Sequence, residues 1–69
     1  MKSYIGYITE ITPIKDGCMF TLRCYGYSVV VVAGADLAMG LEEFENYIIT
    51  GCEDETGAIN AESIELFNL

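Results

Sequence analysis

Apolar and polar residues alternate along most of this chain, in short runs broken by glycine-bearing turns. Alternation of that kind puts successive side chains on opposite faces of a strand. A first strand is expected over residues 3–13, long enough to need a bend, with Gly6 or Thr9 as its host. Pro13 lacks an N–H and suits the strand's end. Asp16-Gly17 then marks a tight hairpin, with Gly17 supplying the positive φ. In a second strand, residues 18–25, Phe20, Leu22 and Cys24 share one face. Met19, Thr21, Arg23 and Tyr25 share the other, and the charge on Arg23 makes that the outer one. Gly26 turns the chain into a third strand over 27–33.

A fourth strand covers 47–52, where Tyr47, Ile49 and Gly51 oppose Ile48, Thr50 and Cys52. A fifth covers 58–67. There Ile59 and Ala61 share a face while Ile64 is out of phase by one residue, which predicts a bulge or bend near Glu62-Ser63. One segment has helical rather than strand spacing: Leu37, Leu41 and Phe44 stand at i, i+4 and i+7. A short helix is expected over 36–40, extending toward Glu45 at most, capped by Asp36, and closing an open end of the sheet. Gly40 weakens its continuation by about 1 kcal/mol relative to Ala.

The third strand holds four consecutive valines, Val29 to Val32. If Val29 and Val31 face the core, Val30 and Val32 face away from it and need a cover of their own. The candidates are the helix, the C-terminal Leu66-Phe67-Asn68-Leu69, a second copy of the chain, or a protein partner. Tyr27, Val30 and Val32 are therefore the candidate partner-binding residues.

The order of three strands, a short helix and two strands resembles the oligonucleotide/oligosaccharide-binding (OB) fold. The stretch "GYITEI" (6–11) is similar to the opening strand of such domains, and "YIITGCEDETGAINAESIEL" (47–66) to their closing hairpin. The resemblance covers nearly the whole chain and identifies a fold more than a family. It implies an all-β, five-stranded Greek-key barrel with one short helix between strands 3 and 4, as a single domain over residues 1–69. One departure stands out. These domains often place glycine just before strand 4, and this chain has Phe44 and Glu45 there. The resemblance also implies a default ligand, single-stranded nucleic acid. It would be held on strands 2 and 3 and the loops joining strands 1–2 and 4–5. Lys15, Arg23 and Tyr25 are the residues that would serve it.

Charge weakens that implication. The chain has 69 residues and a net charge of −8. Residues 1–34 hold Lys2, Lys15 and Arg23 against Glu10 and Asp16, whereas residues 35–69 hold nine carboxylates and no base. A protein that neutralises phosphates needs several Lys or Arg contacts, and Glu53, Asp54 and Glu55 occupy the turn where a ligand would pass. These three are instead candidate acidic partner-binding residues.

There is no histidine, no phosphate-binding glycine loop and no metal-ligand spacing, so catalytic and metal residues are expected to be none and cofactors none. Cys18, Cys24 and Cys52 read as reduced, mostly buried thiols of a cytoplasmic protein. The longest apolar run, residues 29–35, is too short to cross a bilayer as a helix. The expectation is a non-enzymatic OB-like module that acts by protein–protein interaction or as a homodimer. The alternatives are an acidic mimic of nucleic acid, of the phage type that blocks host defence or restriction, and a weak binder of single-stranded nucleic acid.

Overall fold

The structure, a computed structural model, describes residues 1–68. Five strands close into a barrel in the order β1-β2-β3-β5-β4. They are β1 (Lys2–Ile14), β2 (Gly17–Cys24), β3 (Ser28–Gly34), β4 (Asn46–Glu53) and β5 (Ile59–Leu66), with a helix α1 (Ala35–Ala38) between β3 and β4. This is the all-β Greek-key barrel that the OB resemblance implies.

Closure depends on β1, which pairs antiparallel with β2 along its second half and with β4 along its first. One strand can serve both neighbours only if it bends. Its register slips between Thr9 and Thr12, and Glu10 adopts a left-handed φ of 58°. The bend thus falls beside Thr9 rather than at Gly6. On the other seam β3 and β5 run parallel, paired only at Val31–Ile59 and Val32–Asn60. In β5, Thr50 pairs with Ser63 and Gly51 with Ala61, so Glu62 is the extra residue of the expected bulge. That insertion lets Ile59 and Ile64 both pack on the core despite their difference in parity.

The interior follows the alternation. Phe20 and Leu22 from β2, Val31 and Ala33 from β3, Tyr47 and Ile49 from β4, Ile8 and Ile59 are all buried, together with Cys18. Each fully buried aliphatic or Phe side chain here contributes on the order of 1.5–3 kcal/mol. Leu37 and Ala38 of α1 and the following Leu41 pack on one end of this core as a plug.

Three local expectations are corrected. The helix is a single turn that ends at Ala38: Met39 is already extended, with ψ 131°, and Gly40 follows with a φ of 78°. Its N-cap is Gly34, and Asp36 lies inside the first turn without a capping bond. With the helix ended, Phe44 falls off the Leu37–Leu41 stripe and is exposed. At the β1–β2 hairpin the positive φ belongs to Asp16, at 63°, and not to Gly17. Gly17 is required for another reason: a Cβ there would run into the Ala33 carbonyl across the β2–β3 pair. Finally, the thiols differ in burial. Cys18 is buried, Cys24 half-buried and Cys52 exposed.

Candidate functional site

The outer face of β1, β2 and β3 is assembled by register. Thr9 pairs with Thr21, and Thr21 with Val30. Thr12 pairs with Met19, and Met19 with Val32. Tyr7 pairs with Arg23, and Arg23 with Ser28. These rows alternate with the buried Ile8, Phe20, Leu22 and Val31, so they point outward. Val30 is 42% exposed, and Met19, Tyr7 and Ile14 are exposed as well. Neither α1 nor the C-terminal tail covers Val30. The tail instead follows β4, with the Phe67 amide donating to the Asn46 carbonyl, while Leu69 lies outside the described residues.

The charges on this face cancel. The Arg23 guanidinium meets Glu10 Oε1 at 3.1 Å, the one salt bridge among the described residues. Its Nε donates to Thr9 Oγ1 at 3.3 Å, which helps bury Thr9. The result is a strip of Val30, Val32, Met19 and Ile14, bordered by threonines and one neutralised ion pair.

Tyr27 does not belong to this strip. It has the parity of Val29 and Val31, and its phenol meets the Cys24 thiol at the end of the barrel, a contact that raises the phenol's pKa. Alternation places it on the opposite set from Val30 and Val32, a parity that the sequence already carried. Met19 and Ile14, which sequence reasoning left out, take its place on the face. Met19 was visible as an outer residue of β2; Ile14 joined only through the β1 bulge, which shifts its phase.

The residues expected to serve nucleic acid are scattered. Lys15 sits in the turn after β1, and Arg23 lies six residues further along β2 than Gly17, about 20 Å away at the usual strand rise. Tyr25 is fully exposed in the β2–β3 turn, beyond the end of the sheet. Arg23 is already paired with Glu10.

The acidic turn after β4 is built rather than loose. Asp54 Oδ1 accepts from the Thr56 amide at 2.8 Å, the Thr56 hydroxyl at 2.6 Å and the Ala58 amide at 3.1 Å. The bonds from Thr56 hold the Asp54 carboxyl below its ordinary pKa. Glu53 and Glu55 flank it, exposed. Topology puts this turn at the same end of the barrel as Tyr25 and at the opposite end from Lys15.

A second acidic segment has a structural role that the sequence did not announce. Glu43 Oε2 accepts from the Glu10 amide at 2.9 Å and reaches the Ile11 amide at 3.4 Å, which satisfies the backbone donors that the β1 bulge leaves unpaired. Next to it, the Phe44 amide donates to the Ile8 carbonyl at 2.7 Å, and the Ile8 amide to the Glu45 carbonyl at 3.2 Å. Phe44 and Glu45 thus stand together opposite Ile8, a bulge whose first residue is normally a left-handed glycine. Phe44 holds that conformation, with φ 70°.

The described residues contain no group of three or more His, Cys, Asp or Glu side chains that could hold a metal ion. Burial pushes the Cys18 and Cys24 thiols above their ordinary pKa, which keeps them protonated and unreactive at neutral pH. No helix among the described residues is long and apolar enough to cross a membrane. The fold and surface together define a small closed β-barrel with an uncharged, partly apolar sheet face. No protein-family profile, curated protein or solved structure matches the chain.

Proposed function

We propose that this chain is a non-enzymatic binding module that recognises another protein through the outer face of β1, β2 and β3. The supporting observation is the strip of Val30, Val32, Met19 and Ile14. It is apolar, with Val30, Met19 and Ile14 exposed and Val32 half-buried, and it is free of net charge in a chain that carries −8. Apolar surface rimmed by polar groups is the usual mark of a protein contact. Apart from Glu10, which is paired with Arg23, and Asp16 in the β1–β2 turn, the carboxylates lie elsewhere, on α1, the α1–β4 connection, the β4–β5 turn and β5, so a partner approaching this face meets little repulsion. An acidic mimic would draw on Glu53, Asp54 and Glu55, but Asp54 spends one oxygen on three bonds within its own turn. Direct binding of single-stranded nucleic acid would rest on Lys2 and Lys15 once Arg23 is paired.

The test is capture from the native cell on immobilised wild type and on Val30→Lys. An outward strand position tolerates this change within about 1 kcal/mol, so the variant stays folded. A protein retained by wild type and lost by the variant supports the reading. Equal capture on both refutes it. Light scattering of the wild type at high concentration shows whether the partner is a second copy.

A further inference from the structure

We propose that Phe44 anchors a second docking site, on the α1–β4 connection, for a polypeptide segment that carries an apolar residue flanked by lysine or arginine. Three observations meet at this residue. Its side chain is 73% exposed, so it contributes little to the core. Its backbone sits at φ 70°, in a bulge and in a turn closed by the Glu45 amide on the Glu42 carbonyl at 3.4 Å. Both settings favour glycine, and for a bulky aromatic the conformation is strained. The strain cannot relax, because the Ile8 bonds and the Glu43 carboxylate hold the segment on both sides. A large, rigidly presented aromatic in a glycine position has the form of an interface anchor, a fixed apolar contact against which a partner's side chain packs.

Charge names the occupant. The same connection carries Glu42, Glu43 and Glu45 with no base, together with a second exposed apolar side chain, Met39, and Asp36 lies just before it in α1. An apolar side chain flanked by cations complements that surface, whereas a nucleic acid or another acidic chain does not. This site adjoins β1 at Ile8 and Glu10 but shares no residue with the strip of Val30, Val32, Met19 and Ile14, so the two readings can fail independently.

The experiment uses a display library of random twelve-residue peptides, selected on the folded wild-type protein. The expected winners carry an aliphatic or aromatic residue between Lys or Arg residues. Resynthesised, they bind Phe44→Gly and Phe44→Asn at least tenfold more weakly than wild type, and their affinity falls as salt rises. Both replacements accept a left-handed φ, and their thermal midpoints are expected within about 10 °C of wild type. The proposal is overturned if no peptide is enriched, if the winners lack basic residues, or if they bind both variants as tightly as wild type. A larger loss of thermal midpoint in both variants would make Phe44 a folding residue and overturn it too. Winners that lose affinity for Val30→Lys but not for the Phe44 variants support the sheet-face reading and overturn this one.

Discussion

Replacing Phe44 by alanine and by glycine separates what its side chain contributes from what its backbone costs. About a quarter of the residue is buried, since 73% is exposed. With a Phe surface of roughly 200 Å², that is about 50 Å², or about 1.3 kcal/mol of burial. Phe44→Ala loses this and keeps the left-handed backbone, so it should destabilise by about 1 kcal/mol. Going on from Ala to Gly relieves a left-handed penalty of about 1–2 kcal/mol. It also adds about 0.4–1 kcal/mol of unfolded-state entropy. Gly should therefore be more stable than Ala at this position by about 0.5–1 kcal/mol, leaving Phe44→Gly close to wild type. Urea or guanidinium midpoints at constant m-value measure both differences. Val30 is the control: on an extended strand the order reverses, and Ala should exceed Gly by about 0.5–1 kcal/mol. If alanine equals or exceeds glycine at position 44, the backbone there is not left-handed in solution. The glycine-type bulge, and the docking argument built on it, would then fall.

Two further outcomes follow from the acidic segments. Glu43→Ala should destabilise by about 0.5–1.5 kcal/mol, the usual worth of such bonds, because the Glu10 and Ile11 amides lose their shared acceptor. Their amide hydrogen exchange should speed up while that of Leu22 in the core does not, and unchanged exchange at Glu10 would dismiss the clamp. Asp54 has a folded pKa below its ordinary 3.8, so its stabilisation is present above that value and fades as pH falls through the folded pKa. The gap in thermal midpoint between wild type and Asp54→Ala should be full at pH 7 and close in stronger acid. A gap that widens as pH falls below the ordinary carboxylate range would argue against the hydrogen-bonded carboxylate.

Much of the barrel was legible locally. Parity assigned Phe20, Leu22 and Val31 to the inside and grouped Tyr47 with Ile49 on one face of β4, because an alternating strand has only two faces; burial shows that this β4 face is the inner one. The phase break between Ala61 and Ile64 located the Glu62 bulge for the same reason. Parity also separates Tyr27, just before β3, from Val30 and Val32. The missing glycine before β4 was visible too, but not its meaning: only the bonds to Ile8 reveal that Phe44 occupies a left-handed bulge.

The sequence by itself determined the strands, which residues share a face within each, and the excess of carboxylates after residue 34, since these depend on neighbours within a few positions. The tertiary structure decided which rows lie side by side, putting Ile14 and Met19 beside the outer valines, pairing Arg23 with Glu10, and setting Glu43 on a bulge 33 residues away. It also ended the helix at Ala38, where the chain had to turn back toward β1. Contacts between distant segments are fixed by how the barrel closes, and closure is a property of all five strands at once.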